Sequence, residues 1–303
     1  MKKKKVRRAK KSSTVYHLML LLPMLFVFVF NYIPMGGIIL AFKDYKPGLG
    51  IIGSPWVGLE HFIYLVNTPE FWSVLANTLV IALQKIIWGI IVPLTFALLL
   101  NEVRSKLFMK TVQTVTFIPY FLSWVVLGGI LIEFLSMNGG MLNSLLNVLG
   151  LPSVNFLGDP NAFVPTVIVS DIWKGLGYNA VIYLAALTGV DPTLYEAAAI
   201  DGAGRWKQTL HVTLPSIAPI IALMTILSLG NVLNAGFDQI FNLYNPAVYK
   251  TGDVIDTFVY RLGMENYQYS LSTAVGLFKS VVSGILIVVS YKLADRYAGY
   301  RVF

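Results

Sequence analysis

The chain has 303 residues, of which 56% are hydrophobic, and a mean hydropathy of +0.69, too apolar for an ordinary water-soluble domain. Charged residues make up only 13%, against about 25% in globular proteins, and a complete lack of cysteine excludes disulfides and thiolate chemistry. The fold class these figures predict is an all-α integral membrane protein, with the lipid bilayer as its solvent.

The opening MKKKKVRRAKK is strongly basic. No small-x-small cleavage site follows, so the tail and the apolar run after it are expected to be an anchor rather than a removable signal. A bilayer core takes about 20 apolar residues per helical span. Six stretches qualify: 16–41, 71–100, 111–135, 162–187, 214–236 and 271–292. With the N-terminus inside, sixteen Lys and Arg fall in inner segments, while Lys43, Lys46, Lys250 and Arg261 fall outside. That bias follows the positive-inside rule and places both termini in the cytoplasm. Because the net charge of +8 sorts by topology, it is not the footprint of a nucleic-acid partner.

The domain organisation predicted is a basic cytoplasmic tail at 1–15, a first transmembrane span and outer loop at 16–70, and a five-span core at 71–292. A cytoplasmic helix pair interrupts the core at about 191–206, and 293–303 form a second cytoplasmic tail. Pro23, Pro34 and Pro93 mark spans that bend. In the second outer loop, the apolar spacing over 141–149 predicts a short interfacial helix. The third, 237–269, carries eight Phe and Tyr, available to stack on sugars, receive a binding protein, or simply pack the loop. Ser272, Gly276, Ser280 and Gly284 recur every four residues, a row that lets another helix approach closely, within this chain or from a partner.

The polar stretch EAAAIDGAGRWKQTLHVTLPSIAP, 196–219, is out of place among such spans. Asp191-Pro192 is a helix start, since Asp caps free N–H groups and Pro suits the first helical position. Asp201-Gly202-Ala203-Gly204 is a stop, because glycine adopts the left-handed conformation that ends helices. A short helix, a glycine turn and a second helix leading into the fifth span follow. The narrow alanine face suits another protein's groove, with Glu196 available for a charge-assisted hydrogen bond; an ordinary surface helix accounts for the same pattern.

Lys85, Lys174 and Lys279 fall near the middle of spans, with Asp171 at similar depth. A charge at the bilayer centre costs about 2.5–3.5 kcal/mol, so such residues face protein or water. Asp171, Lys174 and Tyr178 share a helix face. One reading is an Asp171–Lys174 pair neutralised inside the bundle. The other is a polar pathway, with Trp173, Tyr178 and Asn179 meeting sugar rings and hydroxyls, and the surplus positive charge favouring acidic sugars. Glu133, near the outer end of the third span, is a candidate gate or pairing residue. His17, His61 and His211 are too scattered for a metal site, and no phosphate-binding GxxxxGK[ST] loop occurs.

Glu196-Ala197-Ala198, three residues, Gly202, nine residues, then Val212-Thr213-Leu214-Pro215 resembles the signature of inner-membrane permeases of binding-protein-dependent ABC importers. Val212 stands where that family usually has Ile. FVFNYIPMGGIILAFKDYKPG and SPWVGLEHF, within 28–62, are similar to the first span and outer loop of the carbohydrate type (MalF-like, and especially LplB-like polysaccharide permeases). The resemblance implies six transmembrane helices in a MetI-like permease core with a cytoplasmic coupling helix. It also implies that Glu196, Ala197, Ala198, Asp201, Gly202, Leu214 and Pro215 couple the chain to a cytoplasmic ABC ATPase dimer. The other implied partners are a second homologous permease subunit, an extracytoplasmic solute-binding protein and a carbohydrate substrate, in a bacterial cell membrane. ATP and Mg would sit on the ATPase, leaving this chain without a cofactor and without enzymatic activity of its own. A self-sufficient ion-coupled transporter would need intramembrane carboxylate sites and inverted repeats, and a membrane-embedded enzyme would need clustered carboxylates or histidines. The sequence displays neither pattern.

Overall fold

In a bilayer only helices and closed barrels satisfy their own amides, and this chain takes the first course. The computed structural model describes residues 2–230 and 232–298, with side chains from 15 to 230 and from 232 to 292. Of the two tails, the side chains of 1–14 and 293–298 and the whole of 299–303 lie outside the described residues. Among those described, the regular secondary structure is helical, with one isolated bridge between Lys43 and Trp56.

The apolar part of α1 runs Val15–Phe42, through a π turn at Phe28–Tyr32 and a 3-10 stretch at Gly36–Phe42. A short helix, α2 (Glu60–Asn67), precedes α3 (Pro69–Asn101). Then come α4 (Lys106–Phe121, its last turn 3-10), α5 (Trp124–Leu135) and α6 (Met141–Val148). The long α7 (Pro160–Thr188) is followed by α8 (Pro192–Ile200) and α9 (Arg205–Leu229). α10 (Phe237–Leu243), α11 (Ile255–Tyr260) and α12 (Tyr269–Ala298) complete the described chain.

Four of these helices, α1, α3, α9 and α12, are long and apolar enough to cross a membrane, and α4 with α5 make a fifth if that bent pair is one span. α7 has the length but is not counted with them. The stretch expected to span at 111–135 is not one straight helix: α4 and α5 meet at 105°. Pro119 cannot donate to the helical ladder, and Ser123 starts α5 afresh by accepting the Val126 N–H at 3.3 Å. The sharp bend therefore falls at none of the prolines expected to make one. The fifth span also differs from 214–236. Its helix begins at Arg205, passes a π turn at Thr209–Thr213 and ends at Leu229.

Lipid tails are as apolar as leucine, so close packing and polar bonds, rather than exclusion from water, hold such a bundle together. α3 and α7 form its axis. Phe71, Ile81, Phe163, Val167, Ile240 and Ile255 are buried in the larger cluster around them. A smaller cluster at the other end joins Ala97, Tyr183, Leu187 and Ile217. The segment after α9 is folded rather than loose. Phe241 packs on Tyr260 at 4.7 Å between ring centroids, and Arg261 binds Asp253 and reaches Glu70 at 3.1 Å, tying α11 to α3. Most of its aromatics thus pack the loop itself.

Candidate functional site

The first candidate site is the polar helix pair. Asp191 accepts the Thr193 N–H at 2.9 Å, which starts α8 and holds the Asp191 carboxyl below its ordinary value. Gly202 ends it at φ +75°. Ala203 N–H donates to the Ala198 carbonyl at 2.9 Å and Gly202 N–H to that of Ala199 at 3.0 Å, the paired bonds of a Schellman stop. Both ends are thus as the sequence predicts.

No residue of α8 is buried. Glu196, Ala197, Asp201 and Gly202 are exposed and Ala198 partly so, while Ile200 and Trp206 stand 87% and 74% exposed on either side of the turn. Apolar side chains this open, on both sides of the turn, make a surface that a protein or a lipid face can cover. Two ties, neither visible in the sequence, fasten that surface to the bundle. Tyr195 Oη meets Thr213 Oγ1 at 3.0 Å beside Leu214 and Pro215, and Arg205 bridges to Glu102 at the end of α3 at 2.8 Å. Tyr195→Phe should therefore lower stability by roughly 0.5–1.5 kcal/mol, the usual worth of one hydrogen bond, seen as a reduced melting temperature in detergent.

The second candidate site is a polar cavity of about 400 Å3 between α3, α7, α9 and the turn before α10. Lys85, Asp171, Asn179, Tyr183, Ser228 and Asn234 contribute to its lining. Lys85 lies 3.5 Å from Asp171, and donates to the Ala235 carbonyl at 2.8 Å and to Gln239 Oε1. Gln239 in turn donates to the Val167 carbonyl at 2.7 Å and to Ser170 Oγ at 2.9 Å. The ammonium thereby satisfies backbone left unpaired where α9 stops. Gly236 makes this possible, being left-handed (φ +93°) and so close that a Cβ there would lie 2.9 Å from Lys85 Nζ.

The remaining charges do not gather here. The expected Asp171–Lys174 pair is replaced: Asp171 takes Lys85, and Lys174 donates to the carbonyls of Tyr120 (2.9 Å) and Leu122 (2.7 Å) at the bend between α4 and α5. The rings of Tyr120 and Trp124 lie 5.5 Å from that ammonium, and Tyr178 stacks on Tyr120 at 4.1 Å. Lys174 and Tyr178 thus stand together beside the bend. Trp173 faces a separate apolar groove with Phe134 and Pro165, Lys279 pairs with Asp256, and Glu133 is exposed on α5. Of the three mid-span lysines, Lys85 alone lines the cavity. Gln239, Asn234 and Ser228 were not singled out by sequence; an amide or hydroxyl in an apolar stretch gives too weak a signal.

Comparison with known proteins adds the family. Residues 85–299 match the family described as the binding-protein-dependent transport system inner membrane component. The polygalacturonan/rhamnogalacturonan transport system permease protein YteP of Bacillus subtilis (strain 168) is 44% identical over 281 residues, covering 93% of this chain and 88% of that protein. Protein LplB of the same organism is 40% identical with the same coverage. Among solved structures, a bacterial alginate ABC transporter in complex with an alginate pentasaccharide-bound periplasmic protein contains a similar chain. That match has a TM-score of 0.88 at 37% identity and covers 97% of this chain and 99% of that one. With the family match spanning well over half of its length, the chain belongs to the inner-membrane components of binding-protein-dependent transport systems.

Proposed function

We propose that this chain is one permease subunit of an ATP-driven importer of oligosaccharides, working by alternating access beside a second, homologous permease. One observation carries the reading: the helices fastened to the α8 turn are the helices that wall the cavity. α3 holds Glu102 at one end and Lys85 in the cavity; α9 holds Thr213 at its base and Ser228 in the cavity. Load applied to α8 therefore reaches α9 directly, through the Tyr195–Thr213 bond, and α3 by way of the Arg205–Glu102 bridge at the foot of α9. Glu196, Ala197, Ala198, Asp201 and Gly202 form the coupling surface for a cytoplasmic ATPase dimer, which binds ATP and magnesium, and Leu214-Pro215 root it in the membrane.

In this reading α1, α3, the bent α4–α5 pair, α7, α9 and α12 are the six spans, with both termini cytoplasmic. Closure of the ATPase dimer on ATP opens the cavity outward to a solute-binding protein, and hydrolysis returns it inward. Along α12, Cβ atoms built on Gly276 and Gly284 would meet nothing within 4 Å, and Ser280 is exposed, which favours packing against the second permease. An acidic oligosaccharide is the substrate class favoured by the names of the relatives, polygalacturonan/rhamnogalacturonan and alginate systems. Lys174 adds to this, since its described partners are carbonyls and aromatic rings and leave its charge uncompensated. Lys85, Asp171 and Asn179 at the cavity, with Tyr178 and Lys174 at the α4–α5 bend, are the pathway residues we assign. Trp173, Glu133 and Lys279 stand apart from it.

Purification from the native membrane in mild detergent, followed by mass spectrometry, should recover an ABC ATPase and a second permease with this chain. Recovery of the chain alone, even after crosslinking at the α8 turn, would overturn the reading in favour of a self-sufficient transporter.

A further inference from the structure

The face of α2 turned away from the bundle is strongly apolar. Leu59, Ile63 and Val66, at i, i+4 and i+7, are 60%, 61% and 53% exposed and lie on one strip. The opposite side is fixed to the protein: Leu65 is buried, Phe62 packs on Phe42 at 5.5 Å between centroids, and His61 Nε2 bonds the Lys43 carbonyl at 3.1 Å. α2 is thus held at the level where α1 ends and α3 begins, and its orientation about its own axis is set.

What the strip adjoins identifies its occupant. The Trp72 indole N–H donates to the Val66 carbonyl at 2.8 Å. From Trp72 an exposed apolar row continues down α3 through Val80, Leu83, Ile87 and Ile91, on a helix apolar enough to cross a membrane. A strip continuous with the outer face of a span meets what that face meets. Trp56, just ahead of the strip, is also exposed, and Trp concentrates at the membrane–water boundary, where one end of the ring is apolar and the other wet. Glu60 and Asn67 lie to one side of the strip, placed to face water.

We infer that α2 is an interfacial foot, which lays Leu59, Ile63 and Val66 into the headgroup–acyl boundary of the bilayer and keeps Glu60 in water. It fixes the height and rotation of α3, and so the depth at which Lys85 sits.

The test exploits the absence of cysteine from this chain. Single Leu59→Cys, Ile63→Cys, Val66→Cys and Glu60→Cys variants of the full chain are labelled with an environment-sensitive fluorophore. They are then reconstituted in phosphatidylethanolamine/phosphatidylglycerol vesicles, with Val80→Cys as the lipid-facing reference. Labels at 59, 63 and 66 should emit to the blue of the label at 60, lose quenching by aqueous iodide, and gain quenching by brominated acyl chains, as the label at 80 does. Iodide quenching equal to that at 60 would overturn the inference and put the strip in water. Protection from both quenchers would also overturn it and assign the strip to a protein partner.

Discussion

Gly202→Val should leave the chain inserted and assembled, yet lose uptake while the partner ATPase runs unstimulated. Gly202 sits at φ +75° with open space around it, so the defect comes from conformation rather than from a clash. A residue with a Cβ pays roughly 1–2 kcal/mol in that region, and a β-branched one is a true outlier there. That strain disfavours the native turn by about tenfold. Relieving it breaks the bonds of Gly202 and Ala203 to α8 and turns Ile200 and Trp206 away from each other. Gly202→Asn is the control, because asparagine tolerates left-handed backbone, and should retain most coupling. Uptake and ATPase activity measured in reconstituted vesicles decide the matter: unaltered coupling in the valine variant would remove α8 from the transmission path.

Lys85→Met should be the most damaging single change within the bundle. Lys85 is 10% exposed, and its removal strands the Asp171 carboxylate, the Ala235 carbonyl and Gln239 Oε1 together. Breaking a buried pair costs about 3–5 kcal/mol because the surviving charge is left uncompensated. Asp171 is 37% exposed toward the cavity, which pulls the cost to the lower end of that range. The double variant Lys85→Met with Asp171→Asn should recover a measurable part of the loss, as neighbours that share an interaction are not additive. Melting temperatures of the four proteins in detergent give the coupling energy. Strict additivity would show that Lys85 acts through the carbonyls alone.

How legible these features were depends on how local their causes are. The ends of α8 could be read almost to the residue, since a cap at Asp191 and a left-handed glycine at Gly202 depend only on their neighbours in sequence. The bend between α4 and α5 was not. Hydropathy counts apolar residues without regard to direction, and Pro119 lies in a stretch as apolar as those around prolines that leave their helices intact, such as Pro93 in α3. The charge pairing misled for a related reason. Asp171 and Lys174 are three residues apart on one helix, whereas Lys85 reaches Asp171 only because α3 packs along α7. The aromatics of 237–269 were seen, but their mutual stacking belongs to a local fold that composition does not encode.

α9 has a mechanical consequence. It runs for 25 residues from Arg205 to Leu229 through its π turn, about 37 Å at helical rise, and the chain turns left-handed beyond each end, at Gly202 and Gly236. Those two glycines break the helical backbone on either side, and between them α9 turns largely as one body, with the π turn near its base at Thr209–Thr213 and Pro219 beyond it as the places where it can bend. A tilt of about 10° about the Gly202 end would carry the other end through roughly 6 Å, the span of a whole side chain, so a modest angular input is enough to swing Ser228 and the following turn across the cavity mouth.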